Sequence, residues 1–465
     1  MTTYTAINIG PIVSTLQMAR KPRELWAASY LFSFLMECIY KEIKKTEGVE
    51  IISPSEPSKT QSEVGLYPDR VYFKGEIDTK EKITNACYVF FEKLEAKKEV
   101  VDLNYFNIMT TSCEASHESD AIKKLNHQLD VMELCNNATD GHAAQTVYNI
   151  ISKRANSPLF QLATGEDKFV GPDLETIARR ELEAFVSKQI NSHHKYFCIV
   201  LADGDNVGKT VSHPKLSGVQ LKKISEGLMY FGDEATKLIK DYGGLPIYAG
   251  GDDLLFIAPV KGVDGTNIFE FLNKVEKVAF KDVQKAIKEC ELNDKNGLLI
   301  EASLSFGISI TYYKYPLYEA LESARNLLFD VAKKIEDKKA WAWSLRKHSG
   351  SSFDVAFSRK DEGLMKAFLE LIEATTDDDL VSAVAHKLYL KDKLSDMVLE
   401  SGSKARLNAL FDNILEFKDN PYFNSVKKLM PLLNKEVVGS EHYATKLYSL
   451  LRTAKFIKGE ELRDE

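Results

Sequence analysis

The chain has 465 residues, of which 44% are hydrophobic, so it can bury more than one core and we expect three or four domains. Its formal net charge of −7 argues against a protein that binds nucleic acid unaided through a broad basic face. The six cysteines are scattered without a C-x-x-C pair, and no run approaches the roughly 20 apolar residues of a membrane span. We therefore expect a soluble protein of the reducing cytoplasm, with no membrane partner.

The first part of the chain alternates strand and helix patterns. The predicted elements are a strand at 4–9, a helix at 23–44, a strand at 49–52, a helix near 80–98 and a strand at 101–109. This order predicts one small α/β unit. Residues 118–189 are mostly helical and charged, and we expect a small helical insert there.

A second alternation begins with the apolar run Lys195–Ala202, which is typical of a central strand. The elements predicted after it are a helix at 217–242, a hairpin at 248–256, a helix at 267–291, a strand at 298–312, a helix at 317–335 and a strand at 340–345. This order is compatible with a ferredoxin-like unit that carries an extension. After residue 352 the pattern is almost wholly helical to the end of the chain.

An acidic turn, residues 250–253 with the sequence Gly-Gly-Asp-Asp, lies inside the predicted hairpin. Two adjacent acids at a tight turn are costly unless a cation neutralises them. Asp203 ends the preceding apolar strand, and residues opposite each other on neighbouring strands are only about 5 Å apart. We therefore predict that Asp203, Asp252 and Asp253 converge on one or two Mg²⁺ or Mn²⁺ ions.

Glycines and lysines near these acids indicate room for a phosphate group. We expect Gly250 and Gly251, and likewise Gly204 and Gly208, to adopt positive φ and let a triphosphate approach the backbone. Lys209 and Lys314 are candidate phosphate contacts.

Other charged residues have simpler explanations. His193-His194 precedes a strand in a polar stretch, and a solvated loop explains the pair better than metal binding. Lys333-Lys334 and Lys338-Lys339 follow a predicted helix, where complementarity to the helix dipole suffices. A lone Asp-Gly or Gly-Gly-Asp is usually only a turn, so the argument for a site depends on two acidic turns that each follow or interrupt an apolar strand.

Five stretches carry a resemblance to a known family: 10–12, 19–30, 203–209, 250–253 and 303–308. The last three resemble the polymerase-cyclase palm of the large subunit of type III CRISPR effector complexes. The first two are similar to the start of the type III-B (Cmr) version of that subunit. The match spans both predicted α/β units.

The resemblance implies an α+β chain with two ferredoxin-like palms, a small helical domain between them and a helical C-terminal domain. The boundaries we predict are 1–115 for a degenerate first palm, 116–192 for the small domain, 193–350 for the catalytic palm and 351–465 for the helical domain. The first palm is expected to be degenerate because it has Ile9 where the second has Asp203. It is expected to contribute a nucleotide pocket without metal chemistry.

The resemblance also implies a function: a subunit of a CRISPR RNA-guided antiviral complex that, once target RNA binds, makes a second messenger from ATP, usually cyclic oligoadenylate. Asp203, Asp252 and Asp253 become the catalytic metal ligands. The nucleotide contacts carried over are Gly204, Asp205, Asn206, Gly208, Lys209, Gly250, Gly251, Ser305, Lys314 and Arg20. CRISPR RNA and target RNA are expected to be held mainly through the other subunits.

Two departures from the family narrow these expectations. No His-Asp doublet of the nuclease domain occurs, so we expect no DNA cleavage, and no cysteine cluster occurs, so we expect no structural zinc. Some type III-B relatives instead join AMP from ATP to S-adenosylmethionine, and the catalytic acids do not separate the two reactions. A catalytically silent scaffold remains an alternative, whereas a diguanylate-cyclase-like enzyme is disfavoured because Asp253 stands where Glu is typical.

Overall fold

The computed structural model contains two β-sheets surrounded by helices. It describes residues 1–57, 63–75, 77–94, 103–135, 141–153, 157–165, 171–184, 190–336, 338–360, 362–376, 379–390, 397–398, 403–414, 421–436 and 443–459. Among these residues no helix is both long and apolar enough to cross a membrane.

The first sheet, within the described residues, has four antiparallel strands in the order β2-β3-β1-β4. The strands are β1 (Thr2–Asn8), β2 (Glu50–Ser53), β3 (Arg70–Lys74) and β4 (Met109–Ala115). Its two long helices are Pro22–Lys44 and Thr79–Lys93, which pack on each other. The βαββαβ order is that of a ferredoxin-like unit, which we call the first unit.

The helix Pro22–Lys44 forms because its sequence suits both ends. Pro22 occupies the first turn, Glu24 lies near the positive N-terminal end, and Lys41 and Lys44 lie near the negative C-terminal end. Its buried face includes Trp26, which stacks on Phe160 with a centroid distance of 5.1 Å. The helix is therefore the main core element of the first unit.

The second sheet has, among the residues described, six strands in the order β10-β9-β8-β5-β7-β6. They are β5 (Tyr196–Asp205), β6 (Leu245–Gly250), β7 (Asp253–Pro259), β8 (Ser303–Tyr312), β9 (Ala340–Arg346) and β10 (Ser352–Ser358). Neighbouring strands are antiparallel except for the parallel pair β8 and β9. Strands β5 to β8 repeat the order of the first unit, and β9 and β10 extend the sheet; we call this the second unit.

The remaining helices surround these sheets. In the first half they are Ile12–Gln17, Glu118–Cys135, Gly141–Ser152, Pro158–Thr164, Leu174–Ala178 and Arg180–Ala184, with 3₁₀ turns Leu103–Phe106 and Ser192–Lys195. In the second unit they are Val207–Val211, Gly218–Tyr242, Ile268–Lys274, Lys281–Lys288 and Leu317–Asn326, with π-helical Val275–Ala279 and Leu327–Val331 and 3₁₀ Ala332–Lys334. The last helices are Glu362–Ala374, Asp379–Leu390, Lys404–Ile414, Pro421–Glu436 and Tyr443–Gly459.

One cluster of buried hydrophobic residues spans both units. Phe32 of the first unit belongs to the same buried cluster as Leu255 and Ile257 of the second. Backbone atoms also join the units, because the Ala249 N–H donates to the carbonyl oxygen of Gly65 at 3.1 Å. The first unit therefore contacts the hairpin that carries the acidic turn.

The predicted α+β class with two ferredoxin-like sheets is confirmed, whereas the domain boundaries stay predictions. Some elements differ. The strand predicted at 101–109 is observed at Met109–Ala115, and residues 101–102 lie outside the described part. The stretch after residue 352 is not wholly helical, because β10 pairs with β9. Its alternating burial of Phe353, Val355 and Phe357 is the period-2 pattern of a strand.

Candidate active site

The fold brings Asp203, Asp252 and Asp253 together at one end of the second sheet. Asp203 lies near the end of β5, opposite Ser305 of β8. On the other side of β5 runs β7, which begins at Asp253, and the Gly204 N–H donates to the carbonyl oxygen of Asp252 at 3.2 Å. The predicted convergence of two acidic turns is therefore present in the geometry.

Gly204 is required at this position by the space around it. A Cβ atom added there would lie 2.6 Å from Asp252 Oδ2 and 2.7 Å from Asp252 Cβ. The prediction of positive φ is correct for Gly251, with φ of 64°, but wrong for Gly204, Gly208 and Gly250. Gly204 and Gly250 lie within strands, and what they provide is close approach of neighbouring groups.

Lys333 is a cation in direct contact with the acids of the site. Its Nζ lies 2.9 Å from Asp203 Oδ2 and 2.8 Å from Asp205 Oδ1, and it donates to the backbone oxygens of Asp203 and Gly204 at 3.0 Å each. Only 15% of its side chain is exposed. Burial alone lowers the pKa of Lys333, but the charges of Asp203 and Asp205 outweigh it and raise that pKa. The prediction that helix-dipole complementarity explains Lys333 is therefore wrong.

Asp205 is a buried acid that contacts Lys333. Its fully buried carboxylate accepts hydrogen bonds from Ser303 Oγ and Ser305 Oγ at 2.8 Å each and from the Lys339 N–H at 3.0 Å, besides Lys333. Ser305 is also fully buried, and its Oγ accepts from the Ala340 N–H at 3.2 Å. Asp205 and Ser305, predicted as nucleotide contacts, are instead engaged within the protein: Asp205 contacts Lys333, and Ser305 donates to Asp205.

The three acids destabilise one another's ionised forms. Burial and the nearby Asp203 charge raise the pKa of Asp252 to about 7. Burial also raises the pKa of Asp203, against the opposing effect of Lys333. Asp253 keeps an exposed edge, but the protein atoms around it and the charges of Asp203 and Asp252 raise its pKa. An all-oxygen set of crowded carboxylates is the donor set that Mg²⁺ or Mn²⁺ prefers, so these residues fit the implied metal.

Two further lysines lie in this region: Lys338 is near Asp203 and Asp205, and Lys209 is near Lys338. Lys209 is exposed on the helix Val207–Val211. Burial and, to a smaller extent, the neighbouring Lys209 charge lower the pKa of Lys338. The charge of Asp205 opposes this shift. The dipole explanation for Lys338 is therefore incomplete, because this side chain belongs to the cationic group around the site.

The three other predicted nucleotide contacts have three separate environments: those of Asn206, Lys314 and Arg20. Asn206 has φ of 65°, precedes the helix Val207–Val211 and donates through Nδ2 to the Glu301 carbonyl at 2.9 Å. Lys314 lies beyond Tyr312, where β8 ends. At about 3.3 Å per residue, Tyr312 is roughly 23 Å along the strand from the Asp203–Ser305 pair. Arg20 stacks on the Tyr318 ring at 4.4 Å. The structure therefore does not bring Lys314 to the acidic turn, and it gives Arg20 a packing contact between the units.

The His193-His194 pair is buried, so the prediction of a solvated loop is wrong. Both Nε2 atoms lie close to Glu181 Oε2, at 2.8 Å and 2.9 Å, and the three ligand atoms lie within 4.8 Å of one another. The Asn191 N–H donates to His194 Nδ1 at 2.9 Å, which places the His194 proton on Nε2. Burial lowers the pKa of His193 to about 4, against its bond to Glu181. We assign this group as a hydrogen-bonded cluster, because a metal would need the His194 Nε2 lone pair.

A cavity of about 220 Å³ lies between the two units, next to the acidic turn. Asp253 and Tyr248 of the second unit and Asp69 of the first unit are among its lining residues. Most of its other walls are apolar side chains such as Ile9 and Phe32. A mostly apolar cleft with a few polar groups is the usual form of a small-molecule site.

Two family models match the chain. Residues 196–342 match the model for "Cas10/Cmr2, second palm domain", and residues 4–101 match that for "CRISPR-associated protein Cmr2, N-terminal". The chain belongs to the Cas10/Cmr2 family. The acidic turn lies inside the second palm match, and the loop that carries Asp69 lies inside the N-terminal match.

Relatives of this Cas10/Cmr2 chain agree with that assignment. The CRISPR system Cmr subunit Cmr2 of Pyrococcus furiosus is 36% identical over 192 residues, covering 36% of this chain and 20% of that protein. The match thus spans only about a fifth of the length of this curated relative.

Solved structures share the fold of this Cas10/Cmr2 chain. Type III-B Cmr-beta in its apo state aligns with a TM-score of 0.57 and 12% identity over 89% of this chain and 77% of that one. The Csm1-Csm4 cassette in complex with cA4 aligns with a TM-score of 0.55 and 13% identity over 98% and 70%. At such low identity the likeness shows the fold alone.

Proposed function

We propose that the chain is a metal-dependent nucleotidyltransferase that makes a nucleotide second messenger from ATP. The observation that carries this proposal is the convergence of Asp203, Asp252 and Asp253 at the end of the sheet, with Lys333 between Asp203 and Asp205. If these acids had a purely structural role, each would be expected to pair with a cation. Among the described residues, the acids instead outnumber the cation that contacts them.

Each group of the site has a task in this proposal. Asp203 and Asp252 would hold the divalent ions, and Asp253 would support them. When bound, such ions supply charge neutralisation at the α-phosphate and at the leaving pyrophosphate. Lys209 and Lys338 would face the remaining phosphate charge, and Lys333 would keep the Asp203 carboxylate oriented. The Gly251 turn, with its positive φ, lets the triphosphate approach the backbone.

We propose cyclic oligoadenylate as the product. Similarly folded Csm1-Csm4 cassettes have been solved in complex with cA4, with pppApA and with AMPPNP, which supports adenine nucleotides as substrates here. Joining AMP to S-adenosylmethionine uses the same activation of the α-phosphate and remains the second candidate. A silent scaffold is disfavoured because clustered carboxylates destabilise the fold when no metal ion neutralises them, and a scaffold would gain nothing from that cost.

The partners belong to the same proposal. We expect other subunits of a CRISPR effector complex to hold the CRISPR RNA and the target RNA, because the net charge of −7 does not suit unaided RNA binding. The relatives, a Cmr subunit and a Cmr-beta structure bound to cognate target RNA, support this.

The test is product analysis by mass spectrometry. The chain assembled with its complex and a matching target RNA is given ATP and Mg²⁺ or Mn²⁺, with S-adenosylmethionine present or absent. We expect cyclic oligoadenylate, or an adenylated S-adenosylmethionine if the second candidate is right, and loss of either product when Asp252→Ala and Asp253→Ala are combined. Absence of any nucleotide product, or unchanged yield from the double variant, would overturn the proposal.

A further inference from the structure

We propose that a polar cavity of the second unit binds a phosphate-class oxyanion at a site separate from the acidic turn. The cavity, of about 140 Å³, is lined by the π-helical turn Val275–Ala279, by Lys339 just before β9 and by the first turn of the helix Glu362–Ala374. The metal acids of the site are not among its lining residues. Such a site is additional to the proposed nucleotide chemistry and does not depend on it.

Arg359 is the buried cation of this cavity. Only 1% of its side chain is exposed, and its guanidinium contacts Glu276 Oε2 and donates to the Leu304 carbonyl at 2.7 Å. The guanidinium carbon lies 4.8 Å from the centre of the Trp341 ring. Among the described residues, no acceptor lies within hydrogen-bond distance of Arg359 Nε. A buried donor without an acceptor is costly, and an oxygen of a bound anion would satisfy it.

Two lysines and a helix end add positive charge to the same cavity. Lys277 is exposed on the π-helical turn, and 31% of the Lys339 side chain is exposed. The helix Glu362–Ala374 begins at the cavity, so its positive end also faces the ligand space. Ammonium groups meet phosphate as point cations, and the N-terminal end of a helix favours an anion.

The two acids that line the cavity leave this positive charge in excess. Glu276 is engaged within the protein, because it contacts Arg359 and accepts from the Leu304 N–H at 3.2 Å. Glu362 is 64% exposed, and its carboxylate lies 3.8 Å from Lys339 Nζ, beyond hydrogen-bond distance. Solvent weakens the interaction of such an exposed pair. The lining therefore favours an anion over a cation or a neutral ligand.

The cavity has room for a small oxyanion. A bound water needs about 10–15 Å³ of cavity volume, so about 140 Å³ accommodates a group several times larger. The same volume is well below the roughly 300–1,000 Å³ of pockets for drug-sized ligands. Inorganic phosphate and pyrophosphate share the required chemistry and are the two candidate sources.

A strained turn connects this cavity with the acidic site. Lys338 and Lys339 have φ of 52° and 47°, a conformation that residues other than glycine rarely adopt. The Lys339 N–H donates to Asp205 Oδ2 at 3.0 Å, and the Lys339 carbonyl accepts from the Arg359 N–H at 2.8 Å. Backbone strain persists only where the surrounding structure holds it, and it is frequent at ligand sites. The turn therefore places the Lys339 side chain at the cavity while its backbone supports Asp205.

The test is isothermal titration calorimetry of the full chain in EDTA, with inorganic phosphate and pyrophosphate as separate probes. EDTA removes divalent ions, so neither probe can bind through a metal at the acidic turn. We expect the wild-type chain to bind at least one probe, and the double variant Lys277→Gln with Lys339→Gln to bind it about tenfold or more weakly, because two charged donors are lost. The probe that binds more tightly identifies the source. Lys281→Gln is the matched control, because Lys281 is an exposed lysine that does not line the cavity.

A second variant separates this cavity from the acidic site. Lys209 is an exposed lysine near Lys338, and Lys209→Gln should bind the probes like wild type. If Lys209→Gln loses binding while the double variant keeps it, the anion lies at the acidic site and the proposal is overturned. Absence of binding of both probes to the wild-type chain, or equal affinities of the double variant and Lys281→Gln, would overturn it as well. If the double variant has a lowered urea unfolding midpoint, the exposed Lys277→Gln alone decides, with weakening of about threefold expected.

Discussion

At the scale of single residues, the position of the Lys333 ammonium group determines how the acids of the site are held. Lys333 contacts both Asp203 and Asp205, and Asp205 is in turn fixed by two serine hydroxyls and a backbone N–H. This arrangement lets Asp203 stay at the surface of the site while its partner acid is buried. Lys333 thus compensates charge that would otherwise push the two carboxylates apart.

Replacing Lys333 with Met should destabilise the metal-free chain by about 2 kcal/mol, because two carboxylates lose their shared cation. This is below the usual cost of breaking a buried pair, since 23% of the Asp203 side chain remains exposed. Urea unfolding at neutral pH measures the loss, and saturating Mn²⁺ should recover part of it. The control is Lys334→Met, whose exposed ammonium pairs with the exposed Asp330. Equal unfolding midpoints for Lys333→Met and wild type would contradict the role of Lys333.

At the scale of elements, a broken helix and a tight turn build the site. The helix Leu317–Asn326 continues as a π-helical turn and then as the 3₁₀ turn Ala332–Lys334, which delivers Lys333 to the end of β5. Such irregular turns are frequent at functional sites. Across from it, the hairpin of β6 and β7 places Asp252 against Gly204.

Replacing Gly204 with Ala should displace Asp252, because the new methyl group would lie 2.6 Å from its Oδ2. We expect a loss of about 1–3 kcal/mol in the free energy of unfolding, as for an overpacked site, together with weaker Mn²⁺ binding. Gly208→Ala is the matched control, since nothing lies within 4 Å of the added methyl group and its φ is not positive. If Gly204→Ala binds Mn²⁺ and unfolds like Gly208→Ala, the close approach of Asp252 is not what Gly204 serves.

Sequence patterns could predict the parts of this site that depend on local order. The apolar run ending at Asp203 and the Gly-Gly-Asp-Asp turn predicted two strands and their adjacent acids, and strand pairing fixes the distance between such residues. Lys333 could not be placed in this way, because its helical pattern gives no sign of the π and 3₁₀ turns. The prediction of Lys314 as a phosphate contact failed for a related reason. Strand β8 runs antiparallel to β5, so its start lies beside Asp203 and its end, which Lys314 follows, lies far from the acids.

At the scale of the whole molecule, two ferredoxin-like units of the same strand order are joined through a shared hydrophobic cluster. The first unit lacks the metal acid at Ile9, yet its loop contacts the hairpin of the acidic turn and its Asp69 lines the shared cavity. Neither contact could be predicted from the sequence, because both depend on how the units pack. The first unit therefore lines the cavity next to the acidic turn, although it has Ile9 at the position that corresponds to Asp203.

Mn²⁺ titration followed by electron paramagnetic resonance tests most directly whether Asp203 and Asp252 bind divalent metal. We expect the wild-type chain to bind Mn²⁺, and Asp203→Asn and Asp252→Asn each to weaken binding by about tenfold or more because a charged ligand is lost. Asp264→Asn, an exposed acid of the second unit, should bind like wild type. Unchanged Mn²⁺ affinity in both Asp203→Asn and Asp252→Asn would contradict the account.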